Sequence, residues 1–104
     1  MAAVMDWIRV APEDALVGAL SAAAGDSRVA VFRTDEGIFA LDDVCSHEYS
    51  LLSEGELFEG QVECPKHGSR FDLRTGAVTG FPATRGVRAW DAKAEGGWIW
   101  VARR

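Results

Sequence analysis

The chain has two cysteines and two histidines in all, and they fall into two short pairs, Cys45-Ser46-His47 and Cys64-Pro65-Lys66-His67, sixteen residues apart. No other feature limits the fold so strongly. A Cys-x-His step puts two metal-binding side chains on one tight loop, and Cys-x-x-His does the same on a second. A fold that uses both pairs must bring the loops face to face, offering two thiolates and two imidazoles to one centre. Cysteines scattered through a core and histidines scattered over a surface would not sort themselves in this way.

Three readings of the four residues compete. In the plainest, two buried cysteines and two unrelated histidines share the pattern by chance, which the spacing opposes. A Cys₂His₂ zinc site is the second, since the ligand set suits tetrahedral zinc. Zinc-finger spacing, however, puts both cysteines in one pair and both histidines in the other. Here each pair is mixed. The third reading is a [2Fe–2S] cluster with two cysteines on one iron and two histidines on the other. A mixed pair suits it, because each loop then gives one ligand to each iron.

Strand signals recur on both sides of the pairs. Residues 7–10 make a first candidate, and 12–16 fit the start of a helical turn. The Ala-rich stretch up to Ala24 is ambiguous. Residues 28–34 read as a strand, Asp35-Glu36-Gly37 as a turn, and 38–41 as the return strand. Residues 86–93, Glu95-Gly96-Gly97 and 98–102 repeat that pattern near the other end. Trp98 and Trp100 alternate with Ile99 and Val101, so one pair faces a core. Two hairpins thus flank a stretch, 42–82, that is rich in Gly, Ser and charge and short on periodicity. Short strands with regular turns predict an all-β fold, an antiparallel sandwich or barrel, and the irregular middle reads as function-bearing loops.

Size and charge narrow the function classes. At 104 residues the sequence reads as one domain spanning 1–104, small enough for an inorganic centre to add noticeably to its stability. The net charge of −5 argues against a nucleic-acid partner, which needs clustered Lys and Arg. The apolar run 15–24 is about half of what spans a bilayer, and Gly18 and Ser21 interrupt it. Residues 1–6 carry neither a basic region nor a long apolar stretch, so no signal peptide or membrane partner is expected, and the expected compartment is the cytoplasm.

Cys45-Ser46-His47 followed by Cys64-Pro65-Lys66-His67-Gly68-Ser69 resembles the Rieske motif, C-x-H…C-x-x-H. The likeness runs from about residue 38 to residue 83, with the cluster-binding portion at about 42–83. It implies a Rieske-type all-β fold with a cluster-binding subdomain of two loops and one [2Fe–2S] cluster. Cys45 and Cys64 would hold the inner iron, and His47 and His67 the outer, solvent-near one. Gly80-Phe81-Pro82-Ala83 resembles the family's proline loop over the cluster and reads equally well as an ordinary turn. Respiratory members carry an extra cysteine in each loop, joined in a disulfide; Ser50 and Lys66 stand in those places. They also carry a Tyr where this chain has Phe71. The sequence is therefore most similar to soluble Rieske ferredoxins that serve ring-hydroxylating and related non-haem iron oxygenases.

That likeness implies a one-electron carrier between a flavin-type ferredoxin reductase and a terminal oxygenase, and no enzyme in its own right. A Rieske oxygenase needs a second, mononuclear iron site, usually two His and a carboxylate, and no histidine remains for one. The run 67–75 is also similar to ferredoxins found beside iron–sulfur assembly genes. An assembly-associated or redox-sensing module is therefore a second reading, and a zinc-stabilised interaction domain a third.

Overall fold

Alternation of inward and outward side chains, interrupted by tight turns, builds most of the larger of two sheets. The computed structural model describes residues 6–46, 50–66 and 68–104. Strands β1 (Ile8–Pro12), β2 (Ala19–Ala24), β3 (Ser27–Thr34), β4 (Gly37–Asp42), β9 (Ala89–Glu95) and β10 (Trp98–Arg103) form a six-stranded antiparallel sheet in the order β1-β10-β9-β4-β3-β2. Both predicted hairpins are present. Thr34 pairs with Gly37 across the first turn, and Glu95 with Trp98 across the second. Gly96 and Gly97 have φ of 63° and 84°, the left-handed pair that a two-residue hairpin turn of matching twist requires.

Four details differ from the sequence reading. The first strand starts at Ile8 and runs on to Pro12, and the helical turn after it is a single 3₁₀ turn, Glu13–Ala15. The ambiguous Ala-rich stretch ends as strand β2, because residues 19–24 pair along their length with β3. Residues 86–88 precede β9 and pack on the turn at Gly76 instead: Val87 N–H donates to the Gly76 carbonyl at 2.9 Å. The largest difference lies in the middle. The stretch 42–82 holds a second antiparallel sheet, β5 (Glu56–Phe58), β6 (Gln61–Glu63), β7 (Arg70–Asp72) and β8 (Val78–Gly80), in that order. Each strand has three residues, too few to show an alternation in sequence.

Strand β3 explains how the sheets combine. Its Val29-Ala30-Val31-Phe32 run is fully buried on both faces. Val29 and Val31 face one core with Ala40, Trp90, Ile99 and Val101, around which the large sheet curls. Ala30 and Phe32 face a second core with Leu41, Leu52, Val62, Phe71 and Leu73, closed on its far side by the small sheet. A strand covered on both faces reads as a continuous apolar run, and this one does. Ile99 and Val101 are the inward pair of β10, as the alternation predicts. Cys45 and Cys64 both belong to the second core.

Candidate metal centre

The loop that bears Cys45 leaves β4 with its inward alternation intact. Leu41, Asp43 and Cys45 are all buried, at 0%, 0% and 3% exposure. Asp43 is the polar member of that series, and its needs are met. Its carboxylate accepts from the Ser21 hydroxyl (2.5 Å), the Ser53 N–H (2.8 Å) and the Ser53 hydroxyl (3.1 Å). Its carbonyl accepts the Leu52 N–H at 2.6 Å. Val44 bridges Leu51, and the Cys45 N–H closes the loop on the Ser50 carbonyl at 2.9 Å. Residues 43–45 and 50–52 are thus paired, and a buried carboxylate fixes that pairing at its base.

The loop that bears Cys64 is closed in the same way. Strands β6 and β7 pair Glu63 with Arg70, and the Cys64 N–H donates to the Ser69 carbonyl at 2.7 Å. In both loops the cysteine N–H thus reaches a serine carbonyl five positions on. Gly68 turns the chain at φ 77°, and its N–H returns to the Cys64 carbonyl at 3.2 Å. That left-handed conformation accounts for a glycine here. Cys64 is 2% exposed. Two buried thiols, on loops of matching closure within one core, suit a soft, thiolate-bound centre. His47, Glu48, Tyr49 and His67 lie outside the described residues.

A third segment touches both loops. After β8, Phe81 is 85% exposed while Ala83 is 2% exposed. The Ala83 N–H donates to Ser69 Oγ at 2.9 Å, with Ser69 itself 1% exposed. The Ser46 hydroxyl donates to the Arg85 carbonyl. Residues 80–83, which the sequence reads as either a cover or a turn, are thus fastened to the Cys64 loop, and the chain two residues on, at Arg85, to the Cys45 loop. Phe71 is fully buried in β7, in the same core as both cysteines. Glu63, one of the acids near the second pair, is held by Arg70 at 3.2 Å.

The sequence singles out the cysteines, Ser69 and Phe71, and does not single out Asp43 or the hydroxyl of Ser46. Asp43 carried a usable signal, the period-two step Leu41, Asp43, Cys45 continuing an inward face. Ser46 carried none, because its partner is a backbone carbonyl 39 positions away.

Comparison with known proteins gives consistent findings. The model of the family described as Rieske [2Fe-2S] domain matches residues 6–91. The anthranilate 1,2-dioxygenase ferredoxin subunit of Burkholderia cepacia is 42% identical over 78 residues, covering 75% of this chain and 72% of its own. The solved ferredoxin of carbazole 1,9a-dioxygenase from Nocardioides aromaticivorans IC177 superposes with a TM-score of 0.86 at 34% identity, covering 94% of this chain and 98% of that one. A further likeness, at TM-score 0.82 and 28% identity, covers 94% of this chain and 95% of the other. Its partner comes from a structure described as a complex of reduced oxygenase and oxidized ferredoxin in carbazole 1,9a-dioxygenase. Among the described residues no helix is long and apolar enough to cross a membrane.

Proposed function

The chain belongs to the Rieske [2Fe-2S] domain family and carries one Rieske-type cluster, and on that premise we propose that Cys45, His47, Cys64 and His67 are its four protein ligands. Cys45 and Cys64 supply thiolates to one iron, and His47 and His67 supply imidazoles to the other, each loop giving one ligand to each. The matched closure of the two loops around buried cysteines carries this reading. Zinc falls away with the family, whose centre is a [2Fe-2S] cluster.

The protein is a ferredoxin, an electron carrier. His47 and His67 would give a bound cluster two neutral imidazoles in place of two thiolates, and its one-electron chemistry would then run at a higher potential than in a four-cysteine site. The chain's own residues set the conditions. Burial of both cysteines keeps water from the thiolates, the Asp43 and Ser69 hydrogen bonds hold the loops, and exposed Phe81 offers a partner an apolar contact beside them. We assign the donor as a flavin-type reductase and the acceptor as a terminal non-haem iron oxygenase, with residues 1–104 acting as one domain in the cytoplasm. The kinship with ferredoxin components of dioxygenase systems supports this pairing.

The test is anaerobic purification followed by iron and sulfide analysis, then EPR of the reduced protein. Two irons and two sulfides with the low-average-g signal of mixed Cys/His ligation are expected. Cys45→Ser or Cys64→Ser abolishes assembly, whereas His47→Cys or His67→Cys lowers the potential of any cluster still formed. Wild-type visible spectra in the Cys variants overturn the ligand assignment. Reduction by candidate reductases and re-oxidation by candidate oxygenases tests the pairing separately.

A further inference from the structure

We propose that Ser46 is a positioning residue, clamping the first ligand loop to the segment 81–85 and so limiting the water that reaches the cluster and setting its potential. The inference rests on the ligand reading above and goes beyond it, since Ser46 binds no iron.

Ser46 sits between two ligand positions and its hydroxyl donates to the Arg85 carbonyl. Two residues earlier, the Ala83 N–H grips Ser69 of the second loop at 2.9 Å. One short segment therefore holds both loops. The segment is itself anchored. Upstream it continues from β8, whose Gly80 pairs with Arg70. Downstream, the Val87 N–H bonds the Gly76 carbonyl at 2.9 Å, and a Cβ on Gly86 would stand only 2.5 Å from that same oxygen. Such close packing leaves the downstream end little freedom to follow a loop that moves. The separation of the two loops is thus referred to a fixed strap, and the Ser46 hydroxyl joins the first loop to it.

The redox consequence follows from charge. With two thiolates and two neutral imidazoles around an oxidised core of charge +2, the oxidised site is neutral and the reduced site carries −1. Water stabilises the charged state more than the neutral one. Releasing the first loop admits water and favours reduction.

The test compares Ser46→Ala with Ser46→Thr, which keeps the hydroxyl, by protein-film voltammetry, by cluster lifetime in air and by amide exchange. Ser46→Ala should show a raised potential, a several-fold shorter lifetime and faster exchange at the Ala83 and Val87 amides. Ser46→Thr should match wild type in all three. An unchanged potential in Ser46→Ala overturns the proposal, as does a Thr variant that behaves like Ala. If Ser46→Ala assembles no cluster, the Thr variant decides: a wild-type potential supports the clamp, and loss of the cluster overturns it. Iron and sulfide content of the wild type judges the ligand reading independently, and amide exchange reads the clamp with or without metal.

Discussion

At Ser69 a single oxygen can serve two partners. One lone pair accepts the Ala83 N–H at 2.9 Å, which leaves the hydroxyl proton available for a cluster or ligand sulfur. Such a bond strengthens on reduction, when the sulfur carries more negative charge, so it favours the reduced state. A gain of about 1–1.5 kcal/mol on reduction is worth about 40–65 mV for one electron. Ser69→Ala should lower the potential by that order. It also leaves the buried Ala83 N–H unpaired, at a cost of about 1–3 kcal/mol in stability. Phe71→Tyr tests the opposite sign. Phe71 is fully buried in the cysteine core, so an added hydroxyl must find a polar partner or destabilise the fold. If it reaches a ligand sulfur, the potential rises by about 40–65 mV. Voltammetry and chemical denaturation of both variants at one pH separate the outcomes. A Tyr variant that places its hydroxyl on sulfur and leaves the potential unchanged would refute the charge account.

Among the elements, the pairing of residues 43–45 with residues 50–52 depends on one carboxylate. Asp43 ties the loop to β2 through Ser21 and to the 3₁₀ turn Leu52–Glu54 through Ser53. Arg28 extends the network by donating to the Ser21 hydroxyl at 2.8 Å. Asp43→Ala would strand the half-buried Ser53 N–H and remove the Ser21 acceptor together, a loss of about 1–3 kcal/mol. Asp43→Asn, which keeps an acceptor oxygen, should cost less. Urea unfolding of the cluster-loaded protein ranks the two, and equal stability of Asp43→Ala and wild type would rule the anchor out. The same elements show what the sequence makes legible. Hairpins β3–β4 and β9–β10 stand out because apolar alternation and turn residues agree over many positions. Strand β2, ALSAAA, does not, because alanine favours helix and only pairing with β3 makes it a strand. The four small-sheet strands escape notice for a different reason: three residues each, they exist because β6 and β7 frame the second ligand loop and pack Val62 and Phe71 into the core. The cysteines of the site are legible from spacing alone. The fasteners at Ser46 and Ser69 are long-range bonds to backbone, which no local pattern encodes.

For the whole molecule, the ligand assignment makes the cluster a cross-link between two sheets. Cys45 follows β4 of the six-stranded sheet and Cys64 follows β6 of the four-stranded one. Closing a 15-residue loop covalently is worth about 3 kcal/mol in the chain-entropy description, and the segment between the two cysteines is of comparable length. Removing iron should therefore cost roughly that much stability. The loss should also fall unevenly. The large sheet keeps its own core of Val29, Val31, Trp90, Ile99 and Val101, which contains neither cysteine. The small sheet has only three-residue strands and buries Val62 and Phe71 in the core that the cysteines share. Regions with little independent packing open first, at free energies well below global unfolding. Amide exchange of the metal-free protein should then show β6 and β7 losing protection by orders of magnitude while β3, β4 and β10 stay protected. Cluster-loaded protein under the same conditions should protect both sheets. Equal loss of protection across the two sheets would mean that the fold stands or falls as one unit. The cross-link would then stabilise the whole domain, with no special hold on the small sheet.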